Sequence, residues 1–365
     1  MSIHQPHPDL PPPVAIVGAL GWLRQNLFSS PANTAMTLLG VYLLYLFIPP
    51  LLRWALFDAS FAGNTAADCT GSGACWVYIK VRFGQFMYGF YPEAERWRVN
   101  LVGILLIVLA APLFFERFKH KGLLGGFILM VFPFIAFFLF YGGVLGLRVV
   151  ETRLWGGLML TLVLASVGIV AALPLGVVLA LGRRSTMPIV KSLSIAYIEL
   201  WRGVPLITVL FMASVMLPLF LPEGTNFDKL LRAMIGIVMF QSAYMAEVVR
   251  GGLQAIPKGQ YEAAEALGLS YWKSMGLVIL PQALKLVIPG IVNTFIALFK
   301  DTTLVLIVGL LDLLALVHAA NSDTAWLGHA VEGYVFAAGI YWIFCFGMSR
   351  YSQALEQRLQ TGHRR

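Results

Sequence analysis

Charge is scarce in this chain. Only 12% of its 365 residues are Asp, Glu, Lys or Arg, and 59% are hydrophobic, whereas about a quarter of a soluble domain is charged. That balance excludes an ordinary soluble globule and points to an integral membrane protein, with apolar runs long enough to cross about 30 Å of hydrocarbon. Cysteine is nearly absent, three residues in all. Cys69 and Cys75 share one polar loop with Gly71 and Gly73 between them, and either close a small disulfide or remain two thiols. Cys345 lies in an apolar helix and reads as packing. There is no Gly-x-x-x-x-Gly-Lys-Ser/Thr phosphate loop and no His-Glu-x-x-His, so the chain alone is expected to hydrolyse nothing. No basic-aromatic surface module accompanies the net charge of +8, which reads as basic loops rather than nucleic-acid binding. The first 20 residues lack a basic leader region and carry Pro6, Pro8 and Pro11-Pro12-Pro13. They read as a cytoplasmic tail, with the first membrane helix as an uncleaved anchor.

What is present is a series of apolar runs. After an amphipathic piece near residues 20–33, spans are expected at about 35–57, 100–115, 123–147, 155–181, 189–220, 230–253, 282–299 and 333–349. The fifth should be irregular at Pro205 and Pro218. Residues 58–99 read as a polar loop, and Thr303 to His318 re-enters or extends the seventh span. With the N-terminus inside, the inner loops hold fourteen Lys and Arg residues and the outer loops eight, so both termini are expected in the cytoplasm. The chain divides near residue 154. Residues 1–34 form a tail and interfacial helix, 35–154 three plain spans, and 155–365 five spans holding nearly all the intramembrane polar residues.

The longest polar interruption in the second half runs from Pro257 to Pro281. Pro257 and Lys258-Gly259 can start a helix, Tyr261 to Leu267 favours one, and Gly268 is a natural stop. Glu262 sits in the first turn, where the helix dipole favours an acid. Ala263, Ala264 and Leu267 form a low apolar edge that fits a groove in another protein, or else one side of an ordinary interfacial helix.

Glu262-Ala263-Ala264, Gly268 and Ile279-Leu280-Pro281 resemble the EAA loop of ATP-binding-cassette importer permeases. Three further stretches resemble the polar amino-acid branch of that family: Glu199-Leu-Trp-Arg202-Gly203-Val-Pro205, Ala243-Tyr244-x-Ala-Glu247-x-x-Arg250-Gly251-Gly252, and Lys300-Asp301-Thr302-Thr303-Leu304. The resemblance covers about 155–359. The leading spans and Trp22 to Ser30 are similar to the M-type subunit of general L-amino-acid permeases.

The resemblance implies an all-α membrane protein with a five-span MetI-like core. It implies that the helix within about 257–270 docks on an ATPase subunit through Glu262, Ala263, Ala264, Leu267, Gly268 and Pro281. It also implies a second, related permease subunit, two ATPase subunits that hold ATP and magnesium, and a periplasmic amino-acid-binding protein. No cofactor is expected in this chain, and its place is the bacterial inner membrane.

Charges within the membrane should face a cavity or a partner. Lys300 and Asp301 interrupt an apolar helix, with Asn293 and Thr294 each seven residues before one of them. With Thr302 and Thr303 they offer groups for both ends of an amino acid, or form a structural ion pair. Glu199 and Arg202 read as a structural salt bridge at i,i+3. Gln241 and Tyr244 line the pathway or bond between helices, and Asp312 caps or pairs locally. His318 and His329 flank an outer loop without the pattern of a metal site. Two other classes fit the composition: an ion-driven transporter or channel, and a membrane scaffold or sensor.

Overall fold

The computed structural model describes residues 18–115, 118–144, 146–220, 222 and 227–360. The proline-rich tail, Glu116-Arg117 of the first basic loop, most of the acidic loop before Phe227 and the basic residues after Gln360 lie outside them. The described elements are helical apart from isolated bridges. The chain divides into two compact units, one ending at Val77 and the other beginning at Tyr78.

In the first unit, α1 (Gly18–Asn26) precedes α2 (Pro31–Leu52), which continues as a π turn over Arg53–Phe57. Ser30 caps α2 by accepting from the Asn33 amide at 3.1 Å, and Pro31 takes the first position, where no amide hydrogen is needed. At the other end, Ala74 donates to the carbonyl of Trp54 at 2.7 Å and Gly73 to that of Asp58 at 3.1 Å. The Trp76 indole donates to Ala55 at 2.7 Å. The loop thereby satisfies carbonyls that the helix end leaves free. A disulfide joins Cys69 and Cys75 in this loop.

The second unit begins within α3 (Trp76–Tyr88), a helix where the sequence reads as polar loop. Its apolar positions are divided by Lys80, Arg82, Gly84 and Gln85, so no run is long enough to announce a span. Next come α4 (Arg96–Phe114), α5 (Lys121–Met130) and α6 (Phe132–Tyr141), the last two making one apolar run of 21 residues. The core holds α7 (Gly157–Arg183), α8 (Pro188–Gly203), α9 (Leu206–Phe211), α10 (Lys229–Ala255), α11 (Lys258–Ala266), α12 (Tyr271–Ser274), α13 (Leu280–Leu286), α14 (Ile288–Asp301), α15 (Leu313–Ala320) and α16 (Ala330–Gln360).

The segment from 189 to 220 is not the single irregular helix expected. It folds as an elbow of 102° between α8 and the stretch that begins with α9. Val204, before a proline, is extended at φ −119° and ψ 149°, and Pro205 has no amide to continue the ladder. Thr303 to His318 extends the span: a tight turn over Thr302–Val308 continues α14, and Gly309 at φ 72° then breaks the chain before α15.

At the heart of the core α7 packs along α10. Gly168, Ala172, Gly176 and Ala180 recur every four residues on α7 and all are buried. A Cβ on Gly176 would stand 2.6 Å from Met245 Cγ, so only glycine allows this approach. The ends of these helices are tied as well. At the Gly157 end, the Gly157 amide donates to Leu311 at 2.9 Å, and the Thr152 hydroxyl bonds the Asp228 carboxylate. At the Arg183 end, Arg184 donates to the Leu253 carbonyl at 2.8 Å.

Candidate functional site

α11 lies at the Arg183 end. Pro257 turns the chain out of α10, with φ −58° and ψ 142°, and Gln260 donates to its carbonyl at 3.0 Å. The stop is a Schellman closure: Gly268 donates to Glu265 at 2.8 Å and Leu269 to Ala264 at 3.2 Å. It requires φ of +70° at Gly268, a left-handed conformation that glycine adopts without strain.

Ala264 is the buried residue of α11; Glu262, Ala263, Glu265 and Leu267 are exposed. Leu267 is 78% exposed and Trp272, in α12, 73%. Together they leave an apolar surface next to carboxylates. The inner side of α11 is fixed by Tyr261. Its hydroxyl donates to Leu253 at 2.9 Å and accepts from Arg184 at 2.9 Å, while the guanidinium carbon stands 5.4 Å from the ring centroid. The Gln282 amide donates to Gln260 at 3.1 Å, joining α11 to α13, whose first turn holds the exposed Pro281. A cavity of about 410 Å³ opens behind α11, among Arg184, Tyr261, Glu265 and Tyr271.

Within reach of this end lies a charge cluster that the motifs contain but spacing does not reveal. Glu247 accepts from Arg183 at 2.9 Å and from Arg250 at 2.7 Å and 3.0 Å, and Arg202 stands 3.8 Å away. Glu199 pairs with Arg183 at 2.9 Å. The expected i,i+3 bridge between Glu199 and Arg202 is therefore replaced by contacts across α7, α8 and α10. Arginines with two carboxylates on neighbouring helices find better partners than a weak pair on one helix. Glu247 and Arg250, three residues apart in α10, were the available signal.

The pathway candidates differ in burial and in what they bond. Gln241 is buried and donates to the Thr294 carbonyl at 2.9 Å, so it bonds between α10 and α14. Tyr244 is partly exposed, with the Arg202 guanidinium carbon 5.6 Å from its ring centroid. Asn293 and Lys300 are exposed, and Asp301 is half-buried. Among the described residues Lys300 and Asp301 make no ion-pair contact within 4.0 Å; adjacent helical residues point about 100° apart. Thr302 is fully buried, its hydroxyl on the Phe299 carbonyl at 2.8 Å, and Thr303 bonds Lys300 at 2.9 Å. Thr302 thus braces the helix end, with its hydroxyl shielded in this conformation. Asp312 caps α15 through the amide of Ala315 at 2.9 Å and accepts from Tyr341 at 2.9 Å.

Residues 172–361 match the family model described as "Binding-protein-dependent transport system inner membrane component". The inner membrane amino-acid ABC transporter permease protein YhdY of Escherichia coli (strain K12) is 61% identical, covering 98% of this chain and 97% of that protein. The glutamate/glutamine/aspartate/asparagine transport system permease protein BztC of Rhodobacter capsulatus is 42% identical, over 97% and 96% respectively. The glutamate/aspartate import permease protein GltK of Escherichia coli O6:H1 is 34% identical, covering 55% of this chain but 91% of its own length. Among solved structures, one described as a crystal structure of an amino acid ABC transporter with histidines aligns at a TM-score of 0.49 and 31% identity, over 55% of this chain and 92% of that one. With a membrane core of this kind and relatives matched along nearly its whole length, the chain belongs to the family of binding-protein-dependent transport system inner membrane components, as an ABC transporter permease.

Proposed function

We propose that this chain is one of two related permease subunits of an ATP-driven amino-acid importer in a bacterial inner membrane, with both termini cytoplasmic. The observation that carries this reading is the exposed face of α11. Glu262, Ala263 and Leu267 stand free while Tyr261, Ala264 and Gln260 are held from behind. A short helix fixed on one side and bare on the other suits a lever: two ATPase subunits, holding ATP and magnesium, would press on the bare face. The fixed side would pass the push to α10 and α13, and through Glu247 to α7 and α8. A periplasmic binding protein would deliver substrate at the Gly157 end. Asn293, Lys300 and Asp301 remain the residues proposed to meet it.

The two full-length relatives are named for amino acids, one of them for glutamate, glutamine, aspartate and asparagine. Those four are the first substrates to test. The experiment is ATP-dependent uptake by the whole transporter in vesicles, with and without Glu262→Lys. Uptake should fall about tenfold in the variant, as it does when a coupling free energy of ordinary size is lost, while the subunit still inserts. Uptake driven by an ion gradient without ATP would favour a secondary transporter, and no uptake at all a scaffold.

A further inference from the structure

α3 has no place in the pathway or the α11 lever, yet it is seated on the core. Tyr78, Arg82 and Phe86 recur at intervals of four and so share a face. That face, with Phe83 beside it, meets the segment between α15 and the first turns of α16. The Tyr78 hydroxyl donates to Asn321 at 3.3 Å, and its ring centroid lies 5.4 Å from that of Trp326. The Arg82 guanidinium pairs with the Asp323 carboxylate. Phe83 and Phe86 place their centroids 6.2 and 5.8 Å from that of Phe336.

The backbone closes the same joint. A Cβ on Gly157, at the start of α7, would lie 2.3 Å from the Phe86 carbonyl oxygen, and one on Gly89 2.4 Å from the Gly156 Cα. A Cβ on Gly333 in α16 would lie 3.3 Å from the Tyr78 ring. From the core side, Leu313 donates to the Thr161 hydroxyl at 3.1 Å, and Asp312 joins α15 to Tyr341 of α16. The starts of α7, α15 and α16 are thus tied to one another from within and clasped by α3 from without.

We propose that α3 is a brace for transport: it keeps the starts of α7, α15 and α16 one rigid block through the cycle. Arg82 and Asp323 are its positioning residues. This role rests on the import reading above.

The test uses the whole transporter in vesicles. Arg82→Glu and Asp323→Arg should each reduce uptake about tenfold and raise ATP hydrolysis in the absence of substrate, the loss expected when one coupling contact is broken. The exchanged pair Arg82→Glu with Asp323→Arg should recover both readings. Unchanged uptake in the single variants, or no recovery in the exchanged pair, overturns the proposal. A second measurement joins α3 to α16 with a short thiol cross-linker between Phe83→Cys and Phe336→Cys. A brace that never lets go leaves uptake intact when cross-linked. Uptake that stops on cross-linking and returns on its cleavage shows that α3 must detach, and the proposal fails. If the unaltered transporter shows no ATP-dependent uptake, the import reading itself fails and this inference with it.

Discussion

Glu247 is the residue on which three helices converge, and its loss should be felt differently from that of its neighbour Glu199. The Glu247 side chain is 16% exposed and accepts three bonds from two arginines, whereas that of Glu199 is 55% exposed and bonds Arg183. Glu247→Gln leaves three arginines facing one carboxylate. It should lower stability by on the order of 2 kcal/mol, the scale of charge-assisted bonds lost from a partly buried site. Glu199→Gln should cost roughly 0–1 kcal/mol, because exposed pairs contribute little. Thermal unfolding of the purified transporter should rank the two; equal losses would remove Glu247 from the centre of the cluster. In the first unit, Asp68 accepts from the amides of Asn64 and Thr65 at 2.8 and 2.9 Å and from the Thr65 hydroxyl. These bonds hold its carboxyl below the usual carboxylate range. A depressed folded value means that Asp68 supports the loop at neutral pH and above the unfolded value, and that this support is lost as pH falls through the folded value. Amide exchange at Asn64 and Thr65, corrected for its intrinsic pH dependence, should quicken only in that acid window and should be pH-independent in Asp68→Asn.

At the scale of elements, α11 was legible because its signals are local. A proline start, a helix-forming run and a glycine stop fall within a dozen residues, and the structure places the helix over Lys258–Ala266. The elbow at Pro205 was half legible: proline announces a break, but the angle depends on how α9 packs against α10, which no local pattern encodes. α3 was missed because its Tyr78 and Arg82 answer to partners some 240 residues away, Asn321 and Asp323, that sequence alone does not place beside it. The charge cluster was missed for the same reason, since Arg183 and Glu247 lie 64 residues apart. The stop of α11 gives an element-scale prediction. No atom lies within 4 Å of a Cβ built on Gly268, so a side chain there meets no clash and the cost is conformational alone. Gly268→Val forces a β-branched residue into the left-handed region, at roughly 1–2 kcal/mol or more, and should redirect the chain after Leu267. Gly268→Asn tolerates that region and should keep near-normal function. Uptake and substrate-stimulated ATP hydrolysis should therefore fall in the valine variant and hold in the asparagine one. Equal loss in both would mean that the position matters by contact with a partner and not by backbone conformation.

At the scale of the molecule, the number of crossings follows from which contacts lie at which end. α7 runs from the Gly157 end to the Arg183 end. Asp228, which starts α10, bonds Thr152 at the Gly157 end, so the chain between Arg183 and Asp228 has to travel back, elbow included. α10 returns to the α11 end, where Leu253 meets Arg184. The stretch from α13 to Leu311 goes over again, because Leu311 meets Gly157, and α16 starts there beside Tyr78. That makes five passages. α4 and the α5–α6 run form a hairpin whose two ends, Tyr91 and Phe140, are hydrogen-bonded at 2.8 Å, which adds two. α2 with its π turn is 27 residues long, about 40 Å, enough to cross once. By length and apolarity alone six helices qualify, or seven with the elbow. α10 falls short because Lys229, Arg232, Glu247 and Arg250 weight its composition, although these charges sit toward its two ends. If α10 also crosses, the count is eight, an even number, and the excess of Lys and Arg on the α11 side predicts both termini in the cytoplasm. A fluorescent reporter that folds only in the cytoplasm should therefore glow at either terminus, and an impermeant thiol reagent should reach Lys80→Cys from outside. A reporter that glows at one terminus only would make the count odd. The fault would then lie with α10 or the α8–α9 elbow, and impermeant labelling of cysteines placed at Lys258 and at Lys229 would show on which side α10 begins and ends.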